Sequence, residues 1–286
     1  MAREVLVLGA SGNFGARAAE AFRAAGWQVR SYRRGTDMAA AARGAELIVN
    51  GLNSPMYHDW ARLIPEITGN VLAAARASGA RVLVPGNVYV YGDQPGPWGP
   101  ETPQRPVSRK GAIRAEMEAR YHAAAEAGQR VIVLRGGDFV DPAAPGTIWR
   151  MVMLKRVAQG RLTAMGRPEV RRAYAWLPDM ARAAVALAEL PDLPDFADVP
   201  FAGQAVSLTD IAATLQRRTG HGYRIGRFPW WALRLAAPVW ELGRELGEMR
   251  YLYDLDHALD PAPMARLLPG FESAGLEEML AAHLPA

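Results

Sequence analysis

Residues 4–15 read EVLVLGASGNFG, and this stretch decides the fold because it changes from one structural pattern to another within a few residues. Its first five residues are almost wholly apolar, as expected of a central parallel strand that is covered on both faces. Three glycines follow, and from there Phe14, Ala18 and Phe22 recur at helical spacing. The order of strand, glycine turn and helix is typical of a unit in which the helix N-terminus faces a pyrophosphate.

The three glycines each have a physical role in such a turn. Gly9 permits a sharp exit from the strand, Gly12 lets the backbone approach phosphates, and Gly15 lets the helix lie close to the sheet. The alternative is a glycine-rich turn that binds nothing, but the flanking strand and helix favour a dinucleotide. The predicted cofactor-binding residues of this turn are Gly9, Ser11, Gly12, Asn13, Phe14 and Gly15.

The end of the second strand, predicted at 27–32, indicates which dinucleotide binds. An NAD site usually has an acidic residue here, which accepts a hydrogen bond from the ribose 2′-hydroxyl. In this sequence Arg33 and Arg34 follow the strand, and no acid occurs before Asp37. Two guanidinium groups suit a 2′-phosphate, whereas the alternative is a solvated arginine pair. We therefore expect NADP(H) in preference to NAD(H).

The alternation of strands and helices continues along the chain. Apolar runs at 45–50, 81–84 and 130–134 predict further strands, and segments at about 60–78 and 111–127 predict the helices between them. This alternation predicts an α/β fold with a doubly wound parallel sheet, Rossmann-like, and a smaller C-terminal substrate lobe.

The pattern loosens in the second half, where prolines interrupt the helices. We expect a dinucleotide-binding domain over 1–140 and a substrate lobe over most of 141–286, with one helix near 147–159. The Ala-rich segment at about 173–190 is expected to return to the dinucleotide-binding domain.

Ligands of such sheets bind beyond the carboxyl ends of the strands, and polar residues follow three of the predicted strands. Gly51, Leu52 and Asn53 come after the strand at 45–50 and are predicted to contact the cofactor. A further set of polar side chains at these strand ends exceeds what cofactor binding requires, which favours a substrate site. This set is Asn53, Asn87, Tyr89 and Asp138.

The composition excludes several functions. The chain of 286 residues has no cysteine, so disulfides, thiolate nucleophiles and cysteine-based metal sites are excluded. Its five histidines are scattered without ligand spacing, so no metal site is predicted. Neither a Gly-x-Ser-x-Gly elbow nor a Walker A loop occurs.

The charge and hydropathy patterns limit the partners. A net charge of +4 would suit nucleic acid, but the arginines are spread among acidic residues, which argues against that partner. No stretch approaches the ~20 apolar residues of a membrane helix, and the N-terminal apolar run is too short for a signal peptide. We expect a cytoplasmic protein with a small-molecule substrate and no membrane or nucleic-acid partner, and a homodimer is left open.

Taken together, these features resemble the extended short-chain dehydrogenase/reductase superfamily, in particular its NAD-dependent epimerase/dehydratase group, which acts on nucleotide sugars. The matching motifs occur in the family's order and cover about residues 1–190. They are Gly9-x-x-Gly12-x-x-Gly15, Val90-Tyr91-Gly92, Glu101-Thr102-Pro103…Pro106, Leu134-Arg135…Pro142 and Ala175-Trp176-Leu177-Pro178-Asp179-Met180-Ala181. The resemblance implies an NAD(P)-dependent oxidoreductase acting on a small carbonyl or hydroxyl substrate.

The sequence departs from this family at the catalytic positions. The family uses a Tyr-x-x-x-Lys pair, in which the ammonium lowers the pKa of the phenol and holds the nicotinamide ribose, and a Ser that polarises the substrate. Here Asn87 stands at the Ser position, Lys110 at the Tyr position and Arg114 at the Lys position. No Tyr-x-x-x-Lys occurs anywhere in the chain, so the family's mechanism cannot be carried over.

One function that fits is an enzyme with a rebuilt site. Arg114 would hold the ribose, and Lys110, close to Arg114 and an oxidised nicotinamide, would have its charged form disfavoured and act as a general acid/base. Asn87 would donate its amide to a developing oxyanion, and Tyr89 or Tyr91 would supply a phenol. The alternatives are a solvated helix-start lysine, a turn asparagine, and tyrosines of the core or pocket wall.

The other function that fits is a non-catalytic NADP(H)-binding sensor or regulatory protein. An intact glycine turn without the Tyr-x-x-x-Lys pair supports it. The polar set at the strand ends favours the enzyme, because cofactor binding alone does not need it.

Overall fold

The glycine turn joins the first strand to the first helix in the computed structural model of the chain. The strand β1 covers Glu4–Leu8 and the helix α1 covers Asn13–Ala24. After Glu4 every side chain of this strand is buried, as its apolar sequence requires. The structure describes residues 3–54, 57–144, 146–236 and 241–284.

Strands and helices alternate along the first two hundred residues, and the elements become shorter after that. The other strands are β2 (Gln28–Ser31), β3 (Leu47–Asn50), β4 (Arg81–Gly86), β5 (Val131–Arg135), β6 (Asp138–Val140), β7 (Arg161–Ala164), β8 (Arg172–Trp176), β9 (Phe196–Pro200), β10 (Gln204–Val206) and β11 (Arg224–Arg227). The other helices are α2 (Met38–Ala42), α3 (Trp60–Ser78), α4 (Arg109–Glu126), α5 (Leu177–Glu189), α6 (Leu208–Thr219), α7 (Trp230–Ala236), α8 (Glu241–Glu248), α9 (Ala262–Leu267) and α10 (Leu276–Ala281).

Six strands form one parallel sheet in the order β2-β1-β3-β4-β5-β9. Helices α1 and α5 cover one face and α2, α3 and α4 cover the other, so the sheet lies between two apolar layers. The predicted doubly wound parallel sheet is confirmed. The chain moves outward from β1 to β2 and then returns to β3 on the other side of β1, so the switch point lies between β1 and β3.

A smaller lobe is built from most of the remaining elements, whereas α9 packs on β9. It contains a three-stranded sheet, β10-β8-β6, and a two-stranded sheet, β11-β7. Its separate core includes Trp149, Tyr174 and Leu215, together with residues of α6 and α10. None of the helices in the described part of the chain has the length and hydrophobicity needed to cross a membrane.

Two segments of the second half lie in the main sheet layer rather than in the lobe. Helix α5, from the segment at 173–190, packs on α1, and β9 adds a sixth strand beside β5. Sequence analysis missed β9 because Asp198 stands in its middle. The fully buried Arg135 of β5 accommodates that carboxylate, donating from Nη2 to Asp198 Oδ2 at 2.7 Å and from Nη2 to Glu118 Oε2 at 2.7 Å.

The prediction of a helix near 147–159 is wrong. The segment forms two short turns instead, a π-helical turn at Trp149–Met153 and a 3₁₀ turn at Val157–Gln159. These turns place Trp149, Met153 and Val157 in the core of the lobe, so tertiary packing overrides the helical spacing.

We expect Gly15→Ala to lower the free energy of unfolding by about 1–3 kcal/mol, because a Cβ on Gly15 would lie 2.2 Å from the carbonyl oxygen of Gly9 and push α1 off the sheet. Gly222→Ala is the matched control, since a Cβ there meets no atom within 4 Å. Urea denaturation compares the two variants. Equal stability would contradict the close packing.

Candidate functional site

The switch point between β1 and β3 brings three glycine backbones into contact. Gly9 has a φ of +74°, and a Cβ on it would lie 2.8 Å from the carbonyl oxygen of Gly51. A Cβ on Gly51 would in turn lie 2.9 Å from the carbonyl oxygen of Leu8. The predicted residues Gly9, Gly15 and Gly51 therefore lie together, and only glycine allows their backbones to come this close.

The N-terminus of α1 is open to a ligand. Its N-cap residue is Gly12, no side chain caps the helix, and no acidic residue occurs in the first turn. The free N–H groups and the positive end of the helix dipole therefore attract an anion. Ser11 is exposed and Asn13 half-buried at this turn, whereas Phe14 is buried and packs 6.4 Å from Phe139 between ring centroids.

The loop after β3 carries the other predicted cofactor residues. Leu52 N–H donates to Asn50 Oδ1 at 3.2 Å, and Asn50 Nδ2 donates to the Tyr121 hydroxyl at 3.0 Å. Asn53 Oδ1 lies 3.5 Å from Arg114 Nη2. The loop is thereby fixed against α4, with Leu52 and Asn53 next to Gly51.

Asn87 caps the start of the 3₁₀ turn after β4, which covers Val88–Tyr91, and Tyr91 ends it. Asn87 Oδ1 accepts from Tyr89 N–H at 3.0 Å, and the Asn87 carbonyl accepts from Arg135 Nη1 at 2.7 Å. The Tyr91 hydroxyl donates to the Gly99 carbonyl at 3.2 Å, and its ring stacks 5.1 Å from Trp98. Tyr91 is therefore engaged in packing the turn, and Asn87 has only its amide N–H groups to offer a substrate.

Lys110 is fully buried, so it is not the solvated residue of the alternative interpretation. Its Nζ forms ion pairs with Glu245 Oε2 and, at 2.6 Å, with Glu248 Oε2, and its backbone N–H donates to Glu248 Oε1 at 3.0 Å. Arg109 Nη2 also pairs with Glu245 Oε1 at 2.7 Å. We call this set of four residues the α4–α8 clasp, because it joins the first turn of α4 to α8 of the smaller lobe.

Arg114, one turn further along α4, is a buried cation in a different environment. Its guanidinium lies 4.7 Å from the Trp60 ring centroid and 3.5 Å from Asn53 Oδ1, and its buried Nε has no hydrogen-bond partner. Among the described residues no carboxylate lies within ion-pair distance of it. Burial lowers the pKa of Arg114, although the nearby Tyr89 and Glu118 oppose this shift.

Tyr57 completes the site, and sequence analysis missed it. Its hydroxyl lies 3.2 Å from the hydroxyl of Tyr89, and its ring centroid lies 5.1 Å from Lys110 Nζ. The residue comes from the loop after β3, which has no periodic pattern that would show where its side chain points. Its only signal in the sequence is its position after a strand at the ligand-binding edge of the sheet.

Asp138 follows β5 and is paired. Its Oδ2 accepts from Arg172 Nη2, and the Arg172 guanidinium lies 4.0 Å from the ring centroid of Tyr253. Tyr253 in turn contacts Trp230, with 5.9 Å between centroids. This chain of contacts joins the strand ends to a groove in the smaller lobe.

The groove has a volume of about 1150 Å³ and a lining rich in cationic and aromatic side chains. Five arginines and two tryptophans line it, against two carboxylates, Glu169 and Asp254. The arginines and tryptophans are Arg167, Arg227, Arg234, Arg244, Arg250, Trp230 and Trp231. Such a lining favours an anionic ligand with a flat ring.

The fold is shared with several solved structures, whereas no family model and no curated protein matches the sequence. MoeE5, solved with UDP-glucuronic acid and NAD, matches with a TM-score of 0.78 and 19% identity over 98% of this chain and 97% of that one. UDP-glucuronic acid 4-epimerase from Bacillus cereus, with NAD, matches at 0.79 and 16% over 98% and 96%. The NAD-dependent NDP-hexosamine 5,6-dehydratase TunA matches at 0.75 and 19% over 98% and 96%. These similarities confirm at the level of the fold the resemblance drawn from the sequence.

The preference for NADP(H), which Arg33 and Arg34 predicted, is wrong, since the dinucleotide in these similar structures is NAD. Both arginines are exposed, and among the described residues neither side chain forms an ion pair or a hydrogen bond. They are the solvated arginine pair of the alternative interpretation. Exposed arginines at a strand end are common, so their charge alone does not indicate a ligand.

We expect Lys110→Met to lower the free energy of unfolding by about 3–5 kcal/mol, because it leaves buried carboxylate charge without its partner. Lys155→Met, which changes the only other lysine and lies on the exposed surface, is the matched control and should stay within about 0.5 kcal/mol of the wild type. Urea denaturation measures both variants. Similar small losses would contradict the structural role of the clasp.

The same clasp predicts a pH dependence of stability. Burial alone would raise the pKa of Glu245, but its contacts with Lys110 and Arg109 outweigh this and hold the pKa below the usual 4.5. Glu245 therefore stabilises the folded state above pH 4.5, and this contribution is lost as the pH falls through the folded pKa. We expect the stability of the wild type to fall more steeply below pH 4.5 than that of Lys110→Met, as measured by denaturation at each pH.

Proposed function

We propose that this chain is an NAD(H)-dependent oxidoreductase of the epimerase/dehydratase type that acts on a hydroxyl or carbonyl group of a nucleotide sugar through a non-standard site. The observation that carries the proposal is Arg114, a buried cation without a carboxylate partner among the described residues, at the strand edge that also holds the glycine turn and the tyrosine pair. A cation buried in this way is expected to be completed by a ligand.

The dinucleotide fits the residues at the switch point. The uncapped N-terminus of α1 would hold the pyrophosphate, and a Cβ at Gly9, Gly15 or Gly51 would disrupt the backbone contacts that form this cradle. Leu52 and Asn53, in the loop after the neighbouring strand β3, lie beside this cradle. The bound dinucleotide would supply hydride uptake and return. The neighbours with NAD support NAD(H) as the form that binds.

Arg114 would donate to the hydroxyls of the nicotinamide ribose. In the family that the sequence resembles, a lysine at this position has that role, and a guanidinium offers more donors to a pair of hydroxyls than an ammonium. Its present contacts, at 3.5 Å to Asn53 Oδ1 and 3.4 Å to Met117 Sδ, are long and weak. A ligand can therefore replace these two contacts with little loss of hydrogen-bond energy within the protein.

The groove of the smaller lobe would hold the nucleoside diphosphate. Arginines suit the charge and geometry of a diphosphate, and Trp230 or Trp231 would stack on the base. Trp230 of the groove contacts Tyr253, and Tyr253 packs on Arg172, the partner of Asp138 at the strand edge, where the sugar would lie. Neighbours solved with UDP sugars support this substrate class.

A non-catalytic NAD(H)-binding sensor is the second candidate, and one observation favours it. Lys110, at the position of the family's catalytic tyrosine, is bound to two carboxylates and takes part in a structural contact. NADH binding without turnover of any nucleotide sugar would support the sensor and contradict the enzyme. The test is a screen of the NAD-loaded and NADH-loaded protein against UDP-hexoses and UDP-uronic acids, followed by NADH absorbance and product analysis.

We expect Arg114→Met to weaken NADH binding about tenfold, as for the loss of one charge-assisted hydrogen bond. The same change should leave the ligand-free protein as stable as the wild type or more stable, because it removes a buried charge without an ion-pair partner. Arg120→Met on the same helix, whose guanidinium donates to the Pro65 carbonyl, is the matched control and should bind NADH normally. Unchanged NADH affinity in Arg114→Met would contradict the ribose-holding role.

A further inference from the structure

Tyr57 and Tyr89 form a pair of phenols at the edge of the sheet where ligands bind. Tyr57 lies in the loop after β3 and Tyr89 in the turn after β4, and their hydroxyl oxygens are 3.2 Å apart. Both residues keep part of their surface accessible. The pair is therefore placed where a substrate can reach a phenol, even though no tyrosine occupies the expected position on α4.

The backbone at Tyr57 is strained. Its φ is +63°, in the left-handed region that a bulky residue rarely adopts. The surroundings hold it there, because the ring packs 5.1 Å from Trp60 and lies 5.1 Å from Lys110 Nζ. Strain of this kind persists only where packing over-determines it, and it is concentrated at functional sites.

Charged groups of both signs surround the pair. Lys110 of α4 lies over the Tyr57 ring and Arg114 is close to both phenols, so positive charge surrounds the pair and stabilises a phenolate. Asp138 and Glu245 place negative charge there, but each is paired, with Arg172 and Lys110 respectively. Tyr253 is the other titratable group that interacts with both phenols. The arrangement is similar in chemistry to a phenol beside an ammonium, but it is assembled from three elements.

The two phenols are not equivalent. Burial raises the pKa of both, but the neighbouring hydroxyl of Tyr89 and the charge of Arg114 oppose this shift at Tyr57. The pKa of Tyr89 stands well above the usual value because burial and the nearby Tyr57 both raise it. Since the Lys110 ammonium lies over the ring of Tyr57, the phenolate of Tyr57 is the better stabilised one, and Tyr89 is assigned as the donor.

We propose that Tyr57 is the catalytic proton donor and acceptor of this site, and that Tyr89 holds the Tyr57 oxygen by donating a hydrogen bond to it. The inference rests on the proposed function.

In carbonyl reduction, the Tyr57 O–H bond breaks as its proton bonds to the substrate oxygen, and the electron pair stays on the phenol oxygen. The carbonyl carbon would take a hydride from the bound NADH, which is left as NAD⁺, and a proton from the solvent restores the Tyr57 O–H bond. In alcohol oxidation each of these transfers runs in reverse. Lys110 acts as a positioning residue, since its contact is with the Tyr57 ring.

Titration of the phenols tests the pair without any turnover. Protein labelled with 3-fluorotyrosine, whose phenols titrate at lower pH, is followed by ¹⁹F NMR, with circular dichroism confirming the fold at each pH. In Tyr89→Phe the pKa of Tyr57 should rise because its donor is lost, and in Tyr57→Phe the pKa of Tyr89 should fall. If neither pKa moves, the phenols are not coupled and the inference is overturned, whatever the activity.

Turnover tests the catalytic role. We expect Tyr57→Phe to lower kcat by about 10²–10⁴-fold with unchanged NADH affinity, and Tyr89→Phe to lower it less and to move the alkaline limb of the pH profile upward. Tyr223→Phe removes a phenol of the smaller lobe whose hydroxyl donates to Thr219 Oγ1, and it should keep full activity. A fully active Tyr57→Phe would overturn the inference and leave the proposed function standing. If the two phenols titrate as a coupled pair but the wild type turns over no nucleotide sugar, both the catalytic role of Tyr57 and the proposed enzyme function are overturned, in favour of the sensor.

Discussion

The contact among the backbones of Gly9, Gly15 and Gly51 is the constraint on which the rest of the structure depends. It brings the first turn of α1 against the exit of β1 and the loop after β3, with spacings that no Cβ would allow. Because β1 and β3 are neighbours at the switch point, this contact fixes the register of the central strands and leaves the N-terminus of α1 open. The same close packing of glycine backbones thus holds the helix against the sheet and forms the anion site.

Buried charge is distributed unequally around this centre. Arg135 and Lys110 are both fully buried, and each is satisfied by two carboxylates, so their role is to join elements: β5 to β9 and α4, and α4 to α8. Arg114 is buried without such a partner among the described residues. The difference matters because a buried charge with no partner has nothing to offset the free energy of its desolvation. Arg114, at the strand edge where ligands bind, is therefore a cation that indicates a ligand.

The sequence predicted the positions of Lys110 and Arg114 one helical turn apart, but their environments could not be predicted. Their partners Glu245 and Asn53 are far away in the chain, and nothing in the spacing indicates that α8 would pack on the first turn of α4. The same holds for Tyr57, whose side chain meets Tyr89 only because β3 and β4 are adjacent strands. Arg33 and Arg34 show the opposite error, since two charges side by side in the sequence suggested a phosphate although both are solvated.

The sequence by itself determined the parallel sheet, the positions of its first five strands along the chain and the glycine turn, since these depend on local patterns of apolar residues and on glycines at short spacing. Only the tertiary structure decided which buried charges are paired, where β9 lies and which phenols face the strand edge. These features depend on contacts between residues that are distant in the chain, and such contacts leave no periodic signal in a single sequence.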